Sequence, residues 1–591
     1  MAQSSDRTRS RRFGTALAIT SVVLLIAGVA AVVAARRDDT SGRADSGASP
    51  TAGSTTPGAA GPSAGSTAAS GPAAVDVALL SLYQPRPPAA PRGRGGRVVA
   101  AAAAEPVSLD PFAVGGDTPA TRELTPLWLP GLYRMGPGGV RTPWLAAGPP
   151  MVTPDGRRVV IELRPDARWS DGTAITSADV AATWQRAATR PGPWRAAYAA
   201  LAGVETPSPT RAVLVLRAPG VQWARLFLAP TGVLPKARLA ALGDRPYDLK
   251  VTGGPFVLAG RTPGLETTWR RTPAAWPGSD PHLDEVRVQV VPDFATAVAL
   301  LEARKVDAVL PYDAINAEER VKRVPGVTTS ADEQRRSVTV LTMRTTGGAL
   351  KDVRVRRALA LALDRPAFAE GLVRGGGTLA DGVRVEERSA APFVQARPDL
   401  AAARRLLDAA GWKDNGNRPR TKKGADLTLV LASPTPSDLY DVLARGLQVQ
   451  LRKVGVQVDL AGADADKAAE LARTAGADLA FTRWDTDVVS DLGRLLGSAG
   501  AAPAGAGWPR WSDPGADAAL QQSAAAATLS SQDAPLDRLD ARLASEAPLL
   551  PLLRLDPVTA AAPGVLVERP VSGYGGPLVD VDRWARAAPA P

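Results

Sequence analysis

The chain has 591 residues, 45% of them hydrophobic, and this length predicts two or three domains rather than one. It has no cysteine, which excludes disulfide bonds, thiolate metal sites, a cysteine nucleophile and a lipid-modified N-terminal cysteine. The net charge is +11, and the first 100 residues, with eleven Arg and five Asp, carry more than half of it. The charges of the remaining residues are nearly balanced, so they give no reason to predict a nucleic acid partner.

An uncharged run from Phe13 to Ala35 predicts a transmembrane helix. A bilayer-spanning helix needs about 20 residues, whereas the core of a signal peptide has about 7 to 15. The arginines that precede this run make residues 1–12 a cytoplasmic basic tail by the positive-inside rule. We therefore expect a single-pass protein of the cell membrane whose C-terminal part lies outside. The small residues Val33-Ala34-Ala35 also fit a cleavage site, which leaves secretion open.

Residues 36–97 are predicted to form a disordered linker. Ser46 to Ala74 consists wholly of Ala, Gly, Ser, Thr and Pro, and such a segment cannot bury enough apolar surface to offset its chain entropy. The Pro/Arg/Gly stretch from Pro85 to Gly96 continues the linker. Its arginines are expected to be solvated, with contact to an anionic polymer or lipid as the alternative.

The folded body is predicted to begin with a strand at Val98-Val99, followed by the loop Ser108-Leu109-Asp110-Pro111. Further on, Val159 to Leu163 has the composition of a strand between two turns. Thr176 is a candidate N-cap, because Asp179 follows it at capping-box spacing and an Ala-rich helix comes next.

A second group of elements runs from Gly253 to Leu310. Val286, Val288 and Val290 alternate with polar residues, which is typical of a half-buried strand. A helix over 295–303 and a strand over 306–309 follow. This order predicts parallel pairing of the two strands through a right-handed crossover. Asp352 is then expected to cap a helix over 353–363.

From Leu427 onward the pattern predicts a doubly wound α/β lobe. Strands are predicted at 427–431, 456–460 and 478–481, and helices at 437–454 and 465–474. Ligands in such lobes lie at the carboxyl ends of strands, which here is the segment Thr482–Asp487.

The motifs DGR, LRPDARWSDGT and SADV, then GPF, LDEV and VDAV, then DVRVRRALALALDR follow one another in this chain. In this order the chain resembles the extracytoplasmic solute-binding proteins of the dipeptide, oligopeptide and nickel type (family 5), which are receptors for ABC importers. The resemblance covers about residues 98–586. It implies a two-lobed α/β periplasmic-binding-protein clamshell of type II with an extra subdomain in lobe one. Lobe one would span 98–345, lobe two 346–547, and residues 548–591 would return to lobe one.

The resemblance also implies ligand-binding residues. In peptide-binding members a Trp-x-x-Asp loop after the corresponding strand supplies a carboxylate for the α-amino group of the ligand, which here is Asp487. Trp484 could stack on a ligand side chain, and Ser108 is the candidate from lobe one. Asp487 could instead cap the following helix or be a solvated loop carboxylate.

The same loop departs from the family pattern. Arg483 stands next to Trp484 where relatives tend to have a small residue, and Asp485 is an additional charge. The acidic residues Asp485, Asp487 and Asp491 would favour a cationic ligand, or they form a solvated edge.

Other chemistry finds little support in the sequence. His282 is the single histidine, it lies in a Pro-flanked turn, and no GxSxG motif accompanies it, so no catalytic triad is predicted. One His and four Met argue against a nickel or haem site, which usually needs more than one soft or imidazole ligand. Gly375-Gly376-Gly377 lacks the lysine of a P-loop. We predict no catalytic residue, no metal and no cofactor.

The sequence therefore predicts a monomeric, membrane-tethered receptor, not an enzyme, that captures a short peptide or another small solute and delivers it to an ABC permease. The alternative is a clamshell without transport ligand that acts as a regulatory or scaffold protein of the cell envelope. It is motivated by the transmembrane anchor and by the altered loop around Arg483 and Asp485. The high content of Ala, Gly, Pro and Arg is typical of a GC-rich genome, such as an actinobacterial one.

Overall fold

A computed structural model describes residues 76–587 except for 89–91, 137–138, 230, 275, 277, 313, 332–336, 373–376, 381, 383–396, 436, 464–467, 469–470, 472–473, 475, 485–495, 497–510, 556–557 and 568–575. The predicted cytoplasmic tail, the predicted transmembrane helix and residues 36–75 of the predicted linker lie outside the described residues. None of the helices in the described part combines the length and the apolar character needed to span a bilayer. Contacts divide the chain into Met1–Ala69 and Ser70–Pro591, and every described residue belongs to the second unit.

The first part of the body, residues 76–331, forms lobe one. In chain order it contains α1 (Val77–Ser81), β1 (Arg97–Ala102), α2 (Pro119–Leu124), β2 (Tyr133–Met135), β3 (Arg141–Pro143), β4 (Met151–Val152), β5 (Arg158–Glu162), α3 (Ser177–Thr189), α4 (Arg195–Tyr198), β6 (Leu201–Ser208), β7 (Arg211–Leu216), α5 (Lys236–Leu242), β8 (Phe256–Thr262), β9 (Glu266–Arg271), β10 (Glu285–Val290), α6 (Phe294–Glu302), β11 (Ala308–Val309), α7 (Ala317–Lys322) and β12 (Thr328–Ala331).

Lobe two comprises residues 337–555, after which the chain returns to lobe one. Its elements are β13 (Ser337–Met343), α8 (Val353–Ala362), β14 (Gly377–Leu379), α9 (Leu400–Ala409), β15 (Lys413–Asn415), β16 (Arg418–Lys422), β17 (Ala425–Asp426), β18 (Thr428–Pro434), α10 (Asp438–Arg452), β19 (Gln457–Ala463), β20 (Leu479–Trp484), α11 (Pro514–Ala524), α12 (Asp533–Glu546) and β21 (Leu549–Leu555). The return to lobe one contains β22 (Val558–Ala561), β23 (Val565–Leu566) and β24 (Ala585–Arg586).

The main sheet of lobe one has seven strands in the order β12–β22–β11–β1–β10–β9–β8. Val286 and Val288 of β10 are buried, as their alternation predicts. The predicted direct pairing of β10 with β11 is wrong, however, because β1 lies between them and runs parallel to both. The connection through helix α6 therefore passes over one strand, β1. The prediction failed because the strand–helix–strand pattern of residues 285–309 gives no information on a strand inserted from elsewhere in the chain.

The extra subdomain of lobe one is built on a four-stranded sheet, β4–β5–β7–β6. The predicted capping box at the start of α3 is confirmed, since the Asp179 carboxylate accepts a hydrogen bond from the Thr176 N–H (2.7 Å). Its second oxygen accepts from the N–H of Lys236 at 2.8 Å. This carboxylate is buried, so it joins α3 to α5 as well as capping the helix.

The sheet of lobe two has six strands in the order β14–β21–β13–β20–β18–β19. Strand β13 pairs with β20 and β21, and β21 is itself a member of this sheet. The predicted boundaries at 346 and 548 are therefore wrong, because lobe two already contains β13 and still contains β21. Neither the sequence SVTVLTM of β13 nor the hydrophobic run LLPLLRL of β21 shows to which sheet the strand belongs, and only the pairing partners reveal it.

Other local predictions for lobe two are confirmed. Asp352 caps α8 by accepting from the N–H of Arg354 at 2.9 Å. The helix predicted over 437–454 is α10, which has Ser437 as its N-cap and is followed by Gly455 at a φ of 78°, a conformation that glycine adopts without strain. The predicted helix over 465–474 lies almost wholly outside the described residues.

The linker prediction is wrong for its last part, because residues 76–88 and 92–97 belong to the folded body. Tyr83 is only 6% exposed and packs edge-on against Tyr133, with ring centroids 4.8 Å apart. Arg86 forms ion pairs with Asp580 and, at 2.6 Å, with Asp582. The composition of this segment indicated a coil, but its partners lie near the other end of the chain.

A buried charge cluster fastens the two ends of the body together. Asp582 lies between Arg86 and Arg134, with its carboxylate 3.2 Å from the Arg134 guanidinium. Arg134 in turn lies over the ring of Trp144, 4.0 Å from its centroid. Burial alone would raise the pKa of Asp582, but the guanidinium groups of Arg134 and Arg86 outweigh burial and lower this pKa below its ordinary value.

We predict that Asp582→Asn lowers the free energy of unfolding by about 3 kcal/mol, because it leaves the charges of Arg86 and Arg134 with Asp580 as their one remaining carboxylate in this cluster. Urea denaturation at pH 7 measures this loss. Since the folded-state pKa of Asp582 is depressed, the wild-type advantage is complete above about pH 4 and disappears as the pH falls toward the folded-state pKa. The exposed Asp244, changed to Asn, serves as control and should cost less than about 0.5 kcal/mol. A difference that persists unchanged at the lowest pH would contradict this assignment.

Candidate functional site

The carboxyl ends of three parallel strands in lobe one meet at one edge of its sheet. Strands β10 and β11 both run parallel to β1. Strand β12 has the same direction, because it is antiparallel to β22, which is antiparallel to β11. The chain therefore leaves lobe one, after β12, at the same edge at which β1, β10 and β11 end.

The sheet of lobe two presents the corresponding edge. Strands β19 and β20 both run parallel to β18, so the three end together. Strand β13 is antiparallel to β20 and to β21, so β13 begins, and β21 ends, at this edge. The two connections between the lobes, 332–336 and 556–557, thus join the carboxyl edge of one sheet to the carboxyl edge of the other. Carboxyl edges are where ligands bind in open α/β sheets.

The Trp-x-x-Asp loop predicted to bind ligand begins at this edge of lobe two. Trp484 is the last residue of β20, and its backbone pairs with that of Val338 at the start of β13. Phe481, three residues earlier, stacks on Tyr440, with ring centroids 5.6 Å apart. Asp485 and Asp487 lie outside the described residues, and their ligand-binding roles stay predictions.

Ser108, the candidate from lobe one, lies in the loop that follows β1. Its hydroxyl accepts a hydrogen bond from the N–H of Asp110 (3.1 Å) and lies 3.4 Å from the Asp110 carbonyl. Its hydroxyl thus contacts its own loop. Its ligand-binding role stays a prediction.

Asp110 anchors the same loop from the inside. Its fully buried carboxylate pairs with Arg186 at 2.5 Å and accepts from the N–H groups of Phe112 (3.0 Å) and Tyr247 (2.9 Å). One carboxylate therefore holds α3, the loop after β1 and the segment after α5 together. The sequence motif gave no reason to distinguish Asp110 from Ser108, yet the aspartate is the structural residue of the loop.

Glu105 was not predicted to be important, but it organises the edge of lobe one. Its carboxylate accepts from the guanidinium of Arg261 (2.5 Å) and from the N–H of Gly264 (2.6 Å). The turn between β8 and β9 is thereby fixed next to the carboxyl end of β1. No local pattern announces this contact, because the partners are about 160 residues away in sequence.

The segment after β11 forms a bridge to lobe two. The Arg320 guanidinium pairs with the Asp438 carboxylate of α10 at 2.6 Å and lies 4.6 Å above the centre of the Phe294 ring. Ile315, from the same segment, packs against the hydrophobic core of lobe two. The sequence analysis did not predict this bridge. The acidic and basic residues that follow the predicted strand 306–309 were a possible signal.

Tyr312 stabilises the base of this bridge. Its hydroxyl donates to the carbonyl of Val291 at 2.7 Å, and its ring contacts Phe294. Burial, with smaller contributions from Glu123 and Asp293, raises the pKa of Tyr312 above its ordinary value, so this phenol stays protonated as a donor. The edge of lobe one thus combines an aromatic pair with a charged arginine.

His282 lies away from both edges. Its backbone N–H donates to the carbonyl of Asp582 at 3.2 Å, and its carbonyl accepts from Gly95. Partial burial and the nearby Arg94 and Arg92 lower the pKa of His282, so the imidazole is neutral at pH 7. Within the described part of the chain, no group of three or more His, Cys, Asp or Glu side chains could hold a metal ion.

Comparison with known proteins identifies the family. Residues 141–504, more than half of the chain, match the model of bacterial extracellular solute-binding proteins, family 5. Protein XP55 of Streptomyces lividans is 28% identical over 54% of this chain and 59% of its own length. The glutathione-binding protein GsiB of Escherichia coli is 25% identical over 56% of this chain and 64% of its own length. The chain thus spans about three fifths of these curated relatives.

The solved structures extend the match to most of the body. The oligopeptide-binding protein AppA of Bacillus subtilis, determined in complex with a nonapeptide, superposes with a TM-score of 0.75. The superposition covers 84% of this chain and all of AppA at 18% sequence identity, which establishes the two-lobed α/β fold. The chain belongs to family 5 of the bacterial extracellular solute-binding proteins.

Proposed function

We propose that the protein captures a short peptide between its two lobes and delivers it to the permease of an ABC importer. The observation that carries this proposal is the junction of two carboxyl sheet edges at the two interlobe connections. A ligand held there contacts both lobes at once, so it favours the arrangement in which the lobes are closest.

A peptide is the preferred solute for two reasons. GsiB is a glutathione-binding protein, and AppA was solved in complex with a nonapeptide. The Trp-x-x-Asp sequence that starts at Trp484 would give the ligand amino group a carboxylate partner at Asp487. A charge-assisted hydrogen bond of this kind is about twice as strong as a neutral one.

We also propose that the body is a monomer held at the outer face of the cell membrane by the helix Phe13–Ala35. The intervening residues 36–75 would then act as a flexible tether. With Ala, Gly, Ser, Thr and Pro prevailing, forty such residues would span roughly 35 Å root-mean-square.

The purified protein should be stabilised by a pool of di- to pentapeptides. A peptide at 100 times its Kd adds about 2.7 kcal/mol to the free energy of unfolding, which a thermal shift experiment detects. Mixtures of free amino acids and of sugars are the controls. Stabilisation by sugars alone would mean that the solute is a sugar and not a peptide. If none of the mixtures stabilised the protein, a scaffold role would be favoured.

For a peptide that binds, Asp487→Asn should weaken the affinity at least tenfold, measured by calorimetry, because the α-ammonium loses its counter-charge. Asp426→Asn, an exposed aspartate of lobe two, is the matched control and should leave the Kd unchanged. Acetylation of the peptide N-terminus should weaken binding to the wild-type protein but add little to the loss in the Asp487→Asn variant. Equal losses from acetylation in both proteins would remove Asp487 from the site.

If Phe13–Ala35 crosses the bilayer, the full-length protein should stay in the membrane pellet after alkaline carbonate extraction, because only bilayer-embedded segments resist it. Substitution of Leu24 and Leu25 by Arg adds two charges at the centre of the apolar run, each costing about 3 kcal/mol there, and should abolish retention. Complete release of the wild-type protein would contradict the anchor.

A further inference from the structure

The two lobes also touch at a place distinct from the sheet edges. The turn 525–532 of lobe two, between α11 and α12, lies against the extra subdomain of lobe one. The N–H of Val221 donates to the carbonyl of Ala526 at 3.2 Å. Gly220 is so close that a Cβ at this position would lie 3.5 Å from the carbonyl oxygens of Ala524 and Ala526. The side chain of Leu529 packs against the core of lobe one, although α11 and α12 belong to lobe two.

Asp76 joins this contact from the N-terminal segment. One oxygen of its carboxylate accepts from the N–H of Leu79 at 3.1 Å and so caps α1. The other oxygen accepts from the N–H of Leu529 in lobe two at 2.8 Å. A single carboxylate therefore connects the first residues of the folded body to lobe two.

The rest of this segment is fixed to lobe one. Tyr83 stacks on Trp223 with ring planes 12° apart, and Leu79 is 2% exposed. The N–H of Arg141 donates to the carbonyl of Leu82 at 2.7 Å, and the N–H of Gln84 donates to the carbonyl of Arg141 at 2.9 Å. Residues 76–84 must consequently move with lobe one, and the Asp76 carboxylate is their polar contact with lobe two.

Rotation of two lobes about their connections preserves the contacts within each lobe but separates contacts between them. The Asp76–Leu529 and Val221–Ala526 hydrogen bonds both join one lobe to the other, so they exist only in this arrangement of the lobes. The Asp76 bond involves an ionised acceptor, which makes it the stronger of the two.

From these contacts we propose that residues 76–84 form a latch that holds the extra subdomain of lobe one to the turn 525–532 of lobe two and so stabilises this arrangement of the lobes. The proposal rests on the proposed function in one respect, namely that the lobes move. Because both hydrogen bonds join one lobe to the other, separation of the lobes also releases this junction, from which the chain leads back to the predicted membrane anchor. The linkage is reciprocal, so a change at the junction also shifts the lobe equilibrium.

The test is made on the full-length protein without any solute. Asp76→Ala removes the acceptor, and we expect exchange of the Leu529 amide hydrogen to become about tenfold faster, the effect of one charge-assisted hydrogen bond. Asp76→Asn keeps a neutral acceptor and should give a smaller increase. Asp399→Ala is the matched control, since Asp399 caps α9 through the N–H of Ala402 within lobe two. This control should leave exchange at Leu529 unchanged.

A second measurement, the distance between the lobes, distinguishes a latch from local fraying of the chain around Leu529. The chain has no native cysteine, so spin labels at Ala240→Cys in lobe one and Ala409→Cys in lobe two report the interlobe distance alone. Asp76→Ala should shift the distance distribution toward longer values, and Asp399→Ala should not. Unchanged exchange at Leu529, or faster exchange with an unchanged distance distribution, would overturn the latch. Either failure leaves ligand capture untouched, because no ligand enters this experiment.

Discussion

The architecture depends on two crossings of the chain between the sheet of lobe one and the sheet of lobe two. The chain enters lobe two through β13 and leaves it through β21, and these strands are neighbours in the six-stranded sheet. In lobe one, β12 before the first crossing and β22 after the second are also neighbours. The residues that flank the two crossings are therefore paired, Ala331 with Val558 and Ser337 with Leu555. This pairing directs the carboxyl ends of the parallel strands in both lobes toward the same junction, and we propose that the ligand binds there.

Among the described residues, some of the polar contacts between the lobes are individually weak. The Arg320–Asp438 pair is partly exposed on both sides, and a pair of this type contributes up to about 1 kcal/mol. The hydrogen bond between Val221 and Ala526 adds a contribution of similar size. By contrast, charges that hold elements within one lobe, such as Asp110 with Arg186, are buried. The interior of each lobe is therefore fixed firmly, whereas the arrangement of the lobes can respond to a ligand with modest differential affinity.

Sequence reasoning succeeded where the determinant is local. The capping residues Thr176 and Asp352 act through backbone groups within a few residues, so their positions predicted helix starts correctly. It failed where the partner is distant. The strand β1 between β10 and β11 cannot be inferred from the β10–α6–β11 segment. Arg86 looked like part of a solvated linker because its partners, Asp580 and Asp582, lie almost 500 residues later.

The candidate site shows the same difference between features with local determinants and features that depend on distant partners. The position of the Trp484 loop at a carboxyl edge followed from the order of strands and helices in lobe two, and β20 ends there. The contacts of Arg320 with Asp438 and of Glu105 with Arg261 could not be predicted, because each partner is brought close only by the tertiary fold. The chemistry of the ligand rests on Asp487, whose role came from family resemblance alone.

The central claim is that a solute is gripped between two lobes that move. Small-angle X-ray scattering of the purified protein, with and without a saturating peptide that binds it, tests this claim most directly. The account predicts a smaller radius of gyration in the bound state, because the ligand draws the two sheet edges together. A bound peptide that leaves the radius of gyration and the shape of the scattering curve unchanged would contradict it.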